Sequence, residues 1–428
     1  MAVMGDAIDQ SDGQSRPDRR DLLITGAFAL LSLALFLWRI GDPARLNFDE
    51  SHYVPAARTL LALDLMPNPE HPPLGKLLIG LGIALFGDNP LGWRVMSALF
   101  GALLVFSAMM ATRWMLLRRP AAVMAGILLL FSQTLFIQAR IAMLDIFMAS
   151  FLMLALWQLV ALWRTGFSDR TRFIVASAAM GLSMACKWTA LSLIAPGLPL
   201  FIWLLWRAQK QAGGVQPLPM APALGWLGPF AAFAYLATFL PYHFLRHDAL
   251  SLVQIIPQQF EMLHLQSAPM GSHPYQSRWW QWMLDLRPIW YFYEPVAGVQ
   301  RGVLFIGNPV ICWGGPFALA ASVWAGLRQN ARPLMLPVLL WAGPLLFFII
   351  APKPVQFYYH YFLSSLMLCI ASAGALDHYF WSRGKRLVPW LVIGLAGLVF
   401  LEFYPIISAG ALGGPQDFNR WMWLDSWR

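Results

Sequence analysis

The sequence predicts an all-α polytopic membrane protein with about eleven transmembrane helices and interfacial helices in its first outer loop. Composition is the first reason. Of 428 residues, 58% are hydrophobic and 12% are charged, whereas soluble domains run at roughly 45–50% apolar and about 25% charged. The mean hydropathy of +0.57 agrees. The second reason is the recurrence, along almost the whole chain, of apolar runs close to the roughly 20 residues a helix needs to cross a bilayer core. Together these exclude a collagen, a disulfide scaffold, a disordered regulator and a cytosolic enzyme.

The N-terminal segment 1–20 is polar and aperiodic and reads as a disordered cytoplasmic tail. The run 21–39 lacks a small-residue cleavage site and is expected to be a retained span rather than a signal peptide. Further spans are expected at 91–117, 121–139, 141–163, 172–187, 188–206, 222–240, 302–327, 333–351, 356–381 and 387–410. The run 74–86 is too short to cross. Bounded by Pro72-Pro73 and Gly87, it reads as a helix in the interface. The body is thus 21–410, with outer loops 40–90 and 241–301 and a C-terminal outer tail 411–428.

Charge sets the orientation. With the N-terminus in the cytoplasm, 16 of the 30 basic residues fall in six short segments on one side, among them Arg113/Arg118/Arg119 and Arg383/Lys385/Arg386. This is the positive-inside pattern. Seven of the eight histidines fall on the opposite side. The net charge of +9 is dispersed among apolar spans, with no basic patch of the kind nucleic acid requires. The three cysteines sit in apolar runs without metal-ligand spacing and read as small buried hydrophobes.

Four cations, Arg94, Arg140, Lys187 and Lys353, lie near the outer ends of spans. Each can snorkel to the interface. Charges at such depth otherwise face a polar cavity or a partner, and four together point to a shared anionic ligand. The first outer loop holds Asn47-Phe48-Asp49-Glu50-Ser51-His52-Tyr53 and then Glu70-His71-Pro72-Pro73-Leu74-Gly75-Lys76. An Asp-Glu pair opening a helix is commonly an N-terminal cap. The His-Pro-Pro-Leu-Gly-Lys string is far less generic.

Those two strings, with Trp93-Arg94 and Ser97, resemble the protein O-mannosyltransferase family of the type C glycosyltransferase fold. Ala139-Arg140 with Leu144-Asp145, Gly181-Leu182-Ser183, Cys186-Lys187-Trp188, Gly307-Asn308-Pro309 and Tyr359-His360-Tyr361 follow in the order of that family. The loop 241–301 is too short for the soluble β-trefoil (MIR) domain of eukaryotic members, so the resemblance is to the compact bacterial type. It implies transfer of mannose, with inversion, from a polyprenyl-phosphate carrier to Ser/Thr hydroxyls of exported polypeptides, in the bacterial cytoplasmic membrane and on its outer face.

The reaction so implied needs a base for the acceptor hydroxyl and cations for the departing lipid phosphate. Asp49 is expected as the base, with Glu50 as close alternative or structural partner. Arg94 and Lys187 are the first expectations for the phosphate, followed by Arg140, His360 and Lys353. His71, Lys76, His273, Tyr275 and Trp279 are expected in the loops that meet the acceptor. No cofactor or metal is required, although His52 and His71 flank the carboxylates. Asp145 reads as a partner for a basic residue. The Trp- and Tyr-rich stretch 272–294 reads as an interfacial belt, as an acceptor groove lying over the first loop, or as both. Rival functions are transfer of a sugar or aminosugar to lipid A, another lipid or a glycan, and non-enzymatic transport of a lipid-linked sugar.

Overall fold

The computed structural model describes residues 15–210, 217–268, 271–350 and 355–428. Among these residues the chain forms sixteen α-helices and one β-hairpin. The first is α1 (Arg19–Leu37), capped by Asp18, whose carboxylate accepts from the Arg20 and Asp21 amides. Helix formation thus begins inside the segment 1–20 that was expected to be disordered. Ser15 and Arg16 offer their carbonyls to Arg113. Residues 1–14 of that expectation lie outside the described residues.

Two short helices follow on the far side, α2 (Glu50–Leu61) and α3 (Leu74–Phe86), and then the long α4 (Pro90–Leu116). The expected span 121–139 is broken into α5 (Arg119–Leu130) and α6 (Gln133–Gln138). Ser132 interrupts it, because its hydroxyl caps the new helix at the Leu135 amide. Next come α7 (Leu144–Arg164), α8 (Arg170–Cys186), α9 (Leu191–Lys210) and α10 (Met220–Ala237). The second outer segment carries α11 (Ile255–Ser267), α12 (Trp279–Met283), and strands β1 (Ile289–Val296) and β2 (Val299–Phe305).

The hairpin corrects the expected span 302–327. The helix there, α13 (Pro309–Arg328), starts later, capped by Asn308 with Pro309 in its first turn. The strands pair antiparallel from Ile289↔Phe305 to Val296↔Val299. Ala297 and Gly298, both at positive φ, make the two-residue turn, the conformation whose twist matches the flanking strands. The chain ends with α14 (Met335–Ile350), α15 (Phe362–Tyr379) and α16 (Leu387–Ile407).

Among the described residues, nine helices are long and apolar enough to cross a membrane. Of the eleven expected spans, the two outside that set are the broken α5–α6 pair and the 17-residue α8. Helices α4, α7 and α15 form the buried centre, while less than a third of α1, α9 and α10 is buried. At Gly181 a side chain would meet the Ala231 carbonyl at 2.1 Å, so α8 and α10 touch backbone to backbone. The tail 411–428 folds back on the hairpin. Tyr293 donates to the Pro415 carbonyl, and the buried Trp427 indole donates to the Asp285 carbonyl.

Candidate functional site

The first outer loop is held by one guanidinium. Arg94, in the first turns of α4, is wholly buried and donates all five of its N–H groups within the protein. Nε and one Nη2 hydrogen go to the Glu50 carboxylate, each at 2.8 Å. Nη1 reaches the Ile40 and Pro43 carbonyls, and Nη2 also reaches Arg45. Glu50 is equally saturated, because its two oxygens accept from the Ala142 and Asn47 amides as well. A bidentate buried pair of this kind exploits the planar fork of arginine. Arg94 therefore has no donor left for a phosphate, and Glu50 is a brace rather than a base. Arg94 differs from the role first expected of it, while Glu50 takes the structural of the two roles it was given.

Arg140 is likewise absorbed. Its guanidinium binds the Phe36, Trp38 and Arg39 carbonyls and lies 4.9 Å from the Phe136 ring. It thereby satisfies carbonyls left open at the end of α1, which explains a buried charge without a ligand. Lys76 is fully buried, and its ammonium donates to the Pro67, Asn68 and His71 carbonyls at 2.8–3.0 Å. Burial lowers it to about 7, and the Glu70 charge opposes that shift. It folds the loop that presents His71, whose ring meets Tyr53 edge-on. His360 is buried between the Trp282, Phe348 and Tyr359 rings.

Asp49 stands apart from these. It occupies the N-cap position of α2, yet its side chain makes no capping hydrogen bond. Phe48 before it adopts a left-handed φ of 47° and stacks on Tyr291 of β1 at 4.2 Å. Non-glycine residues hold that conformation only where their surroundings impose it. The Tyr53 hydroxyl donates to the Asp49 carboxylate at 3.5 Å. Burial raises the carboxyl above its ordinary range, Lys187 pulls it down, Asp145 pushes it up, and His52 and Tyr53 favour the charged form.

Lys187 is placed by α8. Ser183 donates to the Met148 carbonyl of α7, fixing the two helices together. Four residues on, Lys187 ends α8 in an extended conformation. Its ammonium binds both Asp145 oxygens, at 3.1 and 2.8 Å, and sits 5.0 Å from the Tyr359 ring centre. A half-buried carboxylate, a lysine–aspartate pair and the Tyr53, Tyr291 and Tyr359 rings thus share one end of the bundle. Tyr53 lay within sight of the sequence, one helical turn after Asp49. Tyr291 was visible only as part of the aromatic stretch 272–294, and the hairpin that brings it there was not expected.

The remaining expected residues lie elsewhere. His273, Tyr275 and Trp279 belong to a stretch tied to the segment before α15, where the Ser277 amide donates to the Gln356 carbonyl and His273 packs on Phe357. Trp279 is partly exposed. Lys353 lies outside the described residues. The second outer segment does meet the first. Besides Phe48–Tyr291, Gln266 donates to the Glu70 carbonyl and Arg45 pairs with Glu294 at 3.4 Å.

A membrane-embedded helical bundle holding an acid–lysine cluster at one end has the architecture of the type C glycosyltransferases. The Saccharomyces cerevisiae protein O-mannosyltransferase Pmt1–Pmt2 complex bound to the sugar donor superposes with a TM-score of 0.83 at 13% identity, over 100% of this chain and 95% of that one. ArnT from Cupriavidus metallidurans bound to undecaprenyl phosphate superposes with a TM-score of 0.56 at 19% identity, over 87% and 64%. Two family descriptions match separate stretches that together take in about three-quarters of the chain. They are "Dolichyl-phosphate-mannose-protein mannosyltransferase" over residues 87–228 and "C-terminal four TMM region of protein-O-mannosyltransferase" over 252–427. The chain belongs to the protein O-mannosyltransferase family. Relatives named polyprenol-phosphate-mannose–protein mannosyltransferase occur in Corynebacterium glutamicum and in Mycobacterium tuberculosis. The first is 28% identical over 97% of this chain and 94% of its own length, the second 27% over 96% and 92%.

Proposed function

We propose that this chain transfers mannose from a polyprenyl-phosphate carrier to Ser/Thr hydroxyls of polypeptides, with Asp49 as general base. One observation carries the assignment. Asp49 sits where a capping aspartate would sit and does not cap, while its neighbour Glu50 has every oxygen engaged. The acceptor O–H gives its proton to Asp49 as the oxygen attacks the anomeric carbon. The bond from that carbon to the phosphate oxygen breaks, and the electron pair leaves with the lipid phosphate. One carboxylate suffices, because a phosphate departs without protonation by a carboxylic acid.

Lys187 is the cation beside this carboxylate and is assigned to the developing phosphate charge. From Lys187 the chain runs directly into α9, where Leu193, Ile194 and Phe201 line an apolar groove shared with Leu156 of α7 and Leu340 of α14. Such a groove suits an isoprenoid tail. The scheme uses no metal, and none of its steps calls for one. The reaction is assigned to the outer face of the bacterial cytoplasmic membrane. In support, Arg113 and Arg119 pair with Asp21 at the start of α1 and Arg118 pairs with Asp377 near the end of α15, whereas Arg94 and Arg140 grip the chain at and beyond the end of α1. Nineteen helical residues separate the two, roughly 28 Å of rise.

The test is transfer by the purified chain from polyprenyl-phosphate-mannose to a Ser/Thr-rich peptide, read as one added hexose by mass spectrometry. Consumption of donor only when a lipid or glycan acceptor is supplied would move the function to that acceptor class.

A further inference from the structure

Helix α11 carries an apolar face that none of the described residues covers. Leu252 and Val253 lead into it, and Ile256, Phe260 and Leu263 continue it at helical spacing. Phe260 is 71% exposed and Val253 81% exposed. The opposite face is packed, with Ile255 and Met262 against Leu60 of α2 and against Phe239, Tyr242 and Leu245. A solvent-facing stripe of large apolar side chains on one helix marks an interaction surface.

What covers it is decided by continuity. The exposed side chains Leu240 and Phe244 end the candidate membrane span Met220–Phe244, and Phe233 earlier in that span is exposed too. Tyr242, between Leu240 and Phe244, packs in the same cluster as Ile255 and Met262. The stripe on α11 therefore extends the lipid-facing surface of α10 around a corner. Glu261 and His264, both exposed, flank the stripe on one side.

We infer that α11 lies in the lipid–water boundary, its Leu252–Leu263 stripe seated among acyl chains, and that the bilayer surface thereby supports the candidate site from outside. A helix with an apolar face and no capacity to span takes this position. Its packed face reaches the site by two routes. Gln266 donates to the Glu70 carbonyl, next to His71. Gln259 accepts from the Tyr235 hydroxyl, which accepts in turn from the Trp188 indole beside Lys187. Lipid on one side and the two halves of the site on the other leave α11 no freedom to drift.

The experiment places a nitroxide at Phe260→Cys and, separately, at Glu261→Cys. The full chain is reconstituted in nanodiscs of phosphatidylethanolamine and phosphatidylglycerol. The native cysteines Cys186, Cys312 and Cys369 are all buried, so the new thiol is the one labelled. Collision with oxygen, which partitions into lipid, is compared with collision with a water-soluble nickel chelate. The expected result is an oxygen-to-nickel ratio several-fold higher at 260 than at 261. Equal ratios would overturn the inference by putting the stripe in water. Protection of 260 from both reagents, with dipolar broadening between labels, would overturn it in favour of a second copy of the chain. Neither result depends on the mannosyl transfer proposed above.

Discussion

Glu50 and Arg94 meet as a two-point ion pair with neither side chain exposed to solvent, and together they gather five backbone groups from the first outer loop and the segment leading into α7. The pair is structural, and its loss should read as loss of stability. Removing one partner of a buried pair costs about 3–5 kcal/mol, since the other charge is left uncompensated. Glu50→Gln and Arg94→Met should therefore each lower the thermal midpoint of the detergent-solubilised chain sharply. The double variant should cost much less than the two added, as a double-mutant cycle will register. Arg94→Lys should not restore the midpoint, because an ammonium cannot serve five acceptors.

The charges beside Asp49 predict opposite shifts in a pH profile. A base works ionised, and burial holds the Asp49 carboxyl above its ordinary range, so the acid limb of kcat/KM should lie above the usual carboxylate range. Lys187 favours the carboxylate and Asp145 opposes it. Lys187→Gln should move the limb to higher pH and Asp145→Asn to lower pH. Residual activity suffices for the comparison. Shifts in the same direction would contradict the arrangement.

Lys76→Met should leave the Pro67, Asn68 and His71 carbonyls without their donor. Each unsatisfied buried group costs about 1–3 kcal/mol. The loop bearing His71 should loosen, with faster amide exchange at 67–76 and a higher KM for peptide.

Chelation offers a fourth check. Dialysis against a strong chelator should leave mannose transfer unchanged. Restoration of lost activity by one particular divalent ion would contradict the metal-free scheme.

Much of this was legible in the sequence. Hydropathy and the distribution of arginines marked the spans, and each expected run contains a helix. The Asp49-Glu50 pair and Lys187 were visible as motifs. The failures share a cause. Arg94 and Arg140 end on backbone carbonyls of a loop and of a helix end, and a sequence shows no carbonyl positions. The apolar run from Val299 onward hides a strand, although Asn308-Pro309 is a helix start that dates α13 correctly and Ala297-Gly298 is a hairpin turn. Ser132 broke a span for the same kind of local reason, a hydroxyl that prefers capping to continuing a helix. Phe260 and its neighbours gave α11 an apolar stripe too short to draw notice beside eleven longer runs.

The most direct test of the central claim is mannose transfer to a Ser/Thr peptide by Asp49→Asn, measured against wild type and Glu50→Gln at matched folded fraction. Asp49→Asn should remain folded and lose transfer by about 10²–10⁴-fold, the contribution of a positioned general base. Activity near wild type in a folded Asp49→Asn protein would contradict the assignment of Asp49 as the base.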